Sequence, residues 1–273
     1  MSKLLIHEYT IRIPGIKRKI LYHFSDVHLN LADALCTPEE RQSAEQGTEN
    51  WRKTRQSFAK AYKEPCGEQQ LIEAQEHFEN LLAQAQTDGD ALIIAGDLFD
   101  HMTAAHLRFY EKRFSSLTLP YLMVCGNHEN PAKIPDGSAM AHVKRPVQTL
   151  DLGGVVIMAF ENARRTITQE QIAALSAQLD QSKPLIIAMH IPIQAEHNTQ
   201  HLACDEYFRL NYADCPRENL EFIDLIYENR GKIAAILAGH LHFLNVCELV
   251  PGLTQYVSSQ GITGNINRYT IGE

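Results

Sequence analysis

The sequence predicts an α/β protein built on a mixed sheet or on two stacked sheets. Three observations carry that expectation. Short apolar runs without a polar face recur at 92–95, 121–125, 185–189 and 233–238, as expected of strands buried on both sides. Helical stretches lie between them, so strand and helix alternate through most of the chain. At both ends the pattern changes to extended segments around Pro-Gly turns, which read as hairpins.

Taken in order, residues 4–13 and 19–24 flank Pro14-Gly15 and read as a hairpin whose second strand ends at Ser25-Asp26-Val27-His28. Residues 30–68 are polar and hold the only tryptophan, Trp51; a short helix is expected at 51–62. Residues 69–86 form an amphipathic helix with Leu71, Ile72, Ala74, Phe78, Leu81 and Leu82 on one side. Asp88-Gly89-Asp90 ends it, and the next strand runs to Gly96 and Asp97. A helix is expected at 103–115, with Thr103 as its N-cap. The strand 121–125 ends at Gly126-Asn127-His128-Glu129, and a loop continues to Val147. A strand at 155–160, a helix at 168–179 and a strand at 185–189 follow, the last ending at His190-Ile191-Pro192. A second polar insertion covers 193–215, and a helix at 218–227 leads to the last buried strand, 233–238, which ends at Gly239-His240-Leu241-His242. Residues 244–250, 254–258 and 267–271 alternate polar and apolar side chains and read as antiparallel strands. No internal repeat and no Gly/Ser-rich linker divides the chain. One domain, 1–273, is expected, with insertions at about 30–68 and 193–215.

Composition narrows the function classes. The chain is 44% hydrophobic, ample for a core, and its formal charge is -8. With no Lys/Arg stripe, nucleic acid is a poor match as partner. The six cysteines, Cys36, Cys66, Cys125, Cys204, Cys215 and Cys247, are scattered and form no CxxC pair, which reads as reduced thiols in a cytoplasmic protein. The first 20 residues carry Glu8 and three basic residues at 17–19 and do not read as a signal peptide. No apolar run approaches the roughly 20 residues that span a bilayer.

Five strand ends carry metal-capable side chains: Asp26 and His28, Asp97, Asn127 and His128, His190, and His240 and His242. In open α/β sheets, sites form at the C-terminal strand edge. An i, i+2 pair at a strand end points to one face, so Asp26/His28 and His240/His242 each project two ligands together. Gly96, Gly126 and Gly239 precede three of the clusters and let the backbone come close to the ions. A bare Asp97 at the end of a buried strand would be costly to desolvate, and a cation is the simplest compensation. Imidazole, carboxylate and one amide oxygen without thiolate suit Mn, Fe or Zn, and the donors are too many for one ion. Singly, each piece is weak, since DxH and HxH pairs occur by chance on surfaces. Their ordered recurrence after apolar strands is what carries the reading.

As a set, Asp26-Val-His28, Gly96-Asp97-Leu-Phe-Asp100, Gly126-Asn127-His128-Glu129, His190 and Gly239-His240-Leu-His242 resemble the five motifs of the calcineurin-like metallophosphoesterases, all present and in order from Asp26 to His242. The resemblance implies a four-layer α/β/β/α sandwich of two mixed sheets flanked by helices, and a dinuclear phosphoesterase. It implies that Asp26, His28 and His242 hold one metal, that Asn127, His190 and His240 hold the other, and that Asp97 bridges them. It further implies that His128 is a catalytic side chain, not a ligand, and that Asp100 orients it.

The expected reaction is attack of a metal-bridged hydroxide on phosphorus, with His128 as general acid toward the leaving alkoxide. The expected substrate is a small phosphodiester or phosphomonoester, cyclic nucleotide or nucleotide-like. A nuclease or phosphoprotein phosphatase of the same superfamily, or a non-catalytic interaction module on this fold, are the alternatives. Phosphoprotein phosphatases of the superfamily carry arginines where this chain has His101 and Cys125, which counts against that activity. The remaining histidines, at 7, 23, 77, 101, 106, 142, 197 and 201, match no motif and read as surface or packing residues, with His197 and His201 within reach of substrate. The insertions are expected to wall the pocket, with Trp51, Tyr207 or Tyr212 offering an aromatic face to a base or sugar.

Overall fold

Successive side chains on a strand point to opposite faces, so a strand that is apolar throughout needs a cover on both sides. The computed structural model describes residues 4–62, 72–194 and 208–272 and shows how that cover is arranged. The first sheet holds, in spatial order, β1 (Leu5–Ile11), β11 (Asn265–Ile271), β2 (Lys19–Phe24), β3 (Ala91–Ala95) and β4 (Tyr121–Val124). The second holds β5 (Val147–Asp151), β6 (Val156–Phe160), β7 (Leu185–Met189), β8 (Ile233–Ala238), β10 (Leu253–Val257) and β9 (Asn245–Val250). Both sheets are mixed, because parallel pairs such as β2–β3 and β7–β8 share them with antiparallel ones such as β11–β2 and β5–β6.

Alternation along these strands sorts the apolar residues into three cores. Tyr22, Phe24, Leu92, Ile94 and Met123 face outward from the first sheet and are covered by α2 (Ala74–Asp88) and α3 (Ala104–Phe114) through Phe78, Leu81, Leu82, Tyr110 and Phe114. Met158, Phe160, Leu185, Ile187 and Met189 face outward from the second and are covered by α4 (Gln169–Leu179) and α5 (Arg217–Glu228) through Leu175, Leu179, Phe222, Ile223 and Ile226. Between the sheets lie Leu21, Ile93, Val124, Ile157, Ile186 and Leu237, with alanines at 91, 95, 159, 188 and 235. Small side chains on the facing surfaces let the two sheets approach closely, while the bulky ones lie outside under helices. The result is the expected α/β/β/α sandwich.

Helix ends follow local chemistry. Thr103 caps α3 by accepting from the His106 N–H, as expected, and Thr168 with Gln171 forms a capping box at the start of α4. The first insertion departs from expectation, for helix α1 (Pro38–Tyr62) begins well before Trp51. Its start was written in Thr37-Pro-Glu-Glu40. The Thr37 N–H donates to Glu40 Oε2 at 2.8 Å, the Glu40 N–H donates to Thr37 Oγ1 at 3.2 Å, and Pro38 takes the first helical position.

Two strand expectations are corrected. The 4–13 and 19–24 segments do not pair with each other: β11 inserts between them, parallel to β1 and antiparallel to β2. The reason is burial. In β11, Ile266, Tyr269 and Ile271 are fully buried, which suits an interior strand, whereas β1 alternates half-buried and exposed residues and suits an edge. The C-terminal segments are accordingly only partly antiparallel, since β9–β10 and β11–β2 are antiparallel but β10 also pairs parallel with β8. The loop expected up to Val147 is followed at once by the edge strand β5, whose polar Gln148 and Thr149 hid it; the Gln148 amide reaches across to donate to the Met123 carbonyl of the other sheet. Residues 63–68 of the first insertion and 195–207 of the second lie outside the described residues, with Leu71, His197, His201 and Tyr207. Among the described residues, no helix is long and apolar enough to cross a membrane.

Tyr269 anchors the inserted strand. Its ring is fully buried, stacks 5.6 Å from Tyr9, and its hydroxyl accepts from Asn267 Nδ2 at 3.0 Å. Tyr269→Ala is therefore expected to lower unfolding stability by about 3–5 kcal/mol in urea titration. A loss under about 1 kcal/mol would mean that β11 is not held in the core as described.

Candidate metal centre

The residues expected to bind metal come together where the C-terminal ends of β2, β3 and β4 in one sheet meet those of β7 and β8 in the other. Asp26, His28, Asp97 and His242 form one buried cluster, and Asp97, His190 and His240 form a second that shares Asp97. Asn127 joins the second, with Oδ1 at 3.0 Å from His190 Nε2. The two clusters thus draw on both sheets.

Strand alternation is not what directs these side chains. Asp26, His28, Asp97, His240 and His242 have φ of 56°, 50°, 51°, 73° and 59°, the left-handed region. The chain turns sharply as each strand ends, and the turn, not strand alternation, aims the side chains inward. Asp and His tolerate this region better than most residues, and each such residue costs about 1 kcal/mol or more. The glycines also act differently from expectation. A Cβ on Gly126 would overlap the Asp97 carboxylate, and one on Gly96 would stand 2.5 Å from His190 Nδ1. Gly96 and Gly126 thus leave room for two candidate-ligand side chains.

Each carboxylate has one oxygen committed to the protein. Asp26 Oδ2 accepts from the His240 N–H at 2.9 Å and from the Ser25 hydroxyl. Asp97 Oδ1 accepts from the His128 N–H at 2.9 Å. The other oxygens, Asp26 Oδ1 and Asp97 Oδ2, are buried and receive no hydrogen bond. His242 Nε2 lies 3.2 Å from Asp26 Oδ1, and His190 Nε2 lies 3.3 Å from Asp97 Oδ2, both out of line for an N–H···O bond. Asp97 Oδ2 is also 4.0 Å from His28 Nε2, which in turn is 3.0 Å from His242 Nε2. Two buried carboxylate oxygens without a hydrogen bond, close to converging imidazole nitrogens, fit the place of a cation.

The electrostatics agree. Burial works against the charge of Asp26 and Asp97, yet His242 beside the first and His190 beside the second hold both carboxyls well below their usual range. Burial pushes His28 and His240 down to about 3, so both are neutral, the form that ligates metal. Burial opposes charge on His190 too, but the Asp97 carboxylate beside it lifts it to about 9.

His128 and Asp100 stand beside this centre. Burial opposes charge on His128, and the Asp100 carboxylate raises it to about 9, with Nδ1 at 2.9 Å from Asp100 Oδ1. Burial opposes charge on Asp100, while His128 and the Trp51 indole hold its carboxyl low, at about 2. Trp51 comes from α1 and stacks on His28 with ring centroids 3.7 Å apart, so the first insertion does reach the centre, but one indole face is taken by a candidate ligand. Tyr212, from the second insertion, lies under the Arg165 guanidinium at 4.3 Å, so that ring is likewise engaged. Of the unmatched histidines, His23, His77 and His106 are fully buried, as packing residues are.

Three supporting residues had no assigned role. Glu129 is buried; its carboxylate accepts from the N–H groups of Gly126 at 2.8 Å and of Asp97 and Phe99 at 3.1 Å each, tying the ends of β3 and β4 together. Burial and the Asp97 charge lift it to about 8 against those N–H groups. Asn162, just past β6, accepts from the His190 and Ile191 N–H groups at 3.0 Å each and donates to the Ile191 carbonyl at 2.8 Å. Ser25 links Asp26 to Ser258 at 2.7 Å. Their common signal is a polar residue at or just beyond the end of a buried strand.

Residues 20–244 match the family model described as calcineurin-like phosphoesterase. Among solved structures, the chain is similar to a dimetal phosphatase from Danio rerio, at 10% identity over 90% of this chain and 88% of that one, with a TM-score of 0.48. It is also similar to a 5′-nucleotidase from Candida albicans, at 14% identity over 94% of this chain and 47% of that one, with a TM-score of 0.45. The chain thus spans less than half the length of that nucleotidase. No curated protein matches it. The family match covers most of the chain, and the protein belongs to the calcineurin-like phosphoesterases, metal-dependent hydrolases of phosphoric esters.

Proposed function

We propose that the protein hydrolyses a small phosphodiester or phosphomonoester, cyclic nucleotide or nucleotide-like, at a dinuclear centre. Asp26, His28 and His242 would hold one ion, Asn127, His190 and His240 the other, and Asp97 both. The observation that carries this reading is Asp97 Oδ2, a buried carboxylate oxygen without a hydrogen bond that lies 4.0 Å from His28 Nε2 and 3.3 Å from His190 Nε2. One oxygen so placed can serve two ions. Imidazole, carboxylate and amide donors without thiolate favour Mn, Fe or Zn.

Bound there, the cations would supply positive charge against the phosphoryl oxygens and acidify a water. What the chain itself contributes is proton placement. Asp100 occupies the Nδ1 side of His128, which fixes the tautomer and leaves Nε2 for substrate. The side chain is one-third exposed, open to the solvent that restores its proton. His128 would give that proton to the departing alkoxide. Because the candidate ligands come from both sheets, the centre needs the whole sandwich, and we read the chain as one domain. Among the described residues, Cys36, Cys125 and Cys215 are free thiols, which supports a reducing, cytoplasmic setting.

Asp97→Ala should lose both metal ions, whereas Asn127→Ala, on one side only, should lose no more than one. Elemental analysis of the purified variants decides this, and unchanged metal in Asp97→Ala would remove the shared ligand. His128→Ala should keep its metal yet slow an alkyl phosphodiester by roughly 10²–10⁴-fold and a p-nitrophenyl ester much less, because p-nitrophenolate leaves without a proton. Equal losses on both esters would leave His128 as an electrostatic stabiliser only.

A further inference from the structure

Thr48, Trp51, Arg52 and Arg55 recur at i, i+3, i+4 and i+7 and so share one face of α1. That face closes a cavity of about 180 Å³ beside the candidate metal centre, whose other walls include His28, Leu29 and Ile262. The cavity is smaller than the roughly 300–1,000 Å³ that holds a drug-sized ligand, so its occupant is small.

Arg55 sets the chemistry of this cavity. The residue is only 2% exposed, yet among the described residues no carboxylate pairs with it. Nη1 donates to the Ile72 carbonyl at 2.9 Å, and the Nε–H is buried without an acceptor. Arginine is almost never fully buried unless it is paired, because a charge taken out of water needs compensation. Burial pulls Arg55 below the ordinary range of a guanidinium, with Glu73 opposing. Glu73 also lines the cavity, but Arg52 Nη2 binds its carboxylate at 2.6 Å, and Arg52 holds Glu49 as well. Among the lining side chains two arginines thus stand against one glutamate, and the surplus positive charge is that of Arg55.

One surplus charge suits a monoanion, whereas a dianion such as phosphate would set a second negative charge near Glu73. The planar guanidinium fork matches a carboxylate, and Leu29, Trp51 and Ile262 suit a short hydrocarbon body. We propose that the cavity binds a small organic monocarboxylate, with its carboxylate on Arg55 and its hydrocarbon part beside Trp51. This site is additional to the phosphoryl position at the metal ions and does not rest on the phosphoesterase reading. The two are neighbours, since Trp51 stacks on His28 with ring centroids 3.7 Å apart.

Trp51 is the only tryptophan of the chain, so its fluorescence reports on this cavity. The test titrates the metal-loaded protein, at constant ionic strength, with pentanoate and with pentanamide, which has the same shape and no charge. Pentanoate should change the emission saturably, bind about tenfold or more tightly than pentanamide, and raise the melting temperature. In Arg55→Met, which keeps the length of the side chain without its charge, the preference for pentanoate and the shift in melting should both disappear. Arg55→Lys keeps the charge, loses the fork and should fall between. An absent preference in the wild type overturns the proposal. So does a preference that survives Arg55→Met, which would place the carboxylate on the metal ions instead. Inorganic phosphate that binds more tightly than pentanoate, and loses that advantage in Arg55→Met, overturns the choice of a carboxylate.

Discussion

Asp26 and Asp97 are fully buried where the two sheets meet, and each keeps one oxygen without a hydrogen bond. A buried anion without compensation costs several kcal/mol or more. Around these two carboxylates the protein concentrates its unfavourable features. Five residues adopt left-handed backbone conformations. Glycines stand where any side chain would collide with a candidate ligand. Buried Glu129 spends both carboxylate oxygens holding the turns after β3 and β4 in place. A fold of ordinary stability, about 5–15 kcal/mol, does not sustain such a concentration for nothing. Cations that bind only the folded state would offset it, and the centre is then a source of stability as well as of chemistry.

The sandwich explains how such a site is built. Facing alanines bring the sheets close, so strand ends from both reach a common point. Large apolar residues are left for the outer faces, where α2 to α5 hold each sheet rigid. Precision at the centre then comes from strand ends on a stiff scaffold, and other segments emerge from the same edge. Helix α1 is one such emergence. It carries Trp51 onto His28. The turn after β6, with Asn162 and Arg165, is another.

Much of this was legible because each signal was local. Fully apolar strands, the amphipathic face of α2 and the Thr103 cap are visible within a few residues of sequence. The candidate ligands were visible for the same reason, each standing directly after an apolar run. What escaped depends on distant partners. Nothing near residues 4–24 announces that a strand some 250 residues away will part β1 from β2; only the alternating exposure of β1 against the full burial of β11 decides it. β5 was hidden by Gln148, whose polarity is explained by a bond to the opposite sheet. Asn162 carries no motif, since its role arises from the backbone of His190, met in space and not in sequence. The start of α1 was readable in Thr37-Pro-Glu-Glu40, but the polar body of the helix masked it.

The central claim is that one oxygen of Asp97 joins two metal ions across the meeting point of two sheets. Anomalous diffraction from crystals soaked in Mn²⁺ tests it most directly. The account predicts two peaks per chain, about 3.5–4 Å apart, with Asp97 Oδ2 between them. A single peak, or two peaks with Asp97 bound to only one, would contradict it.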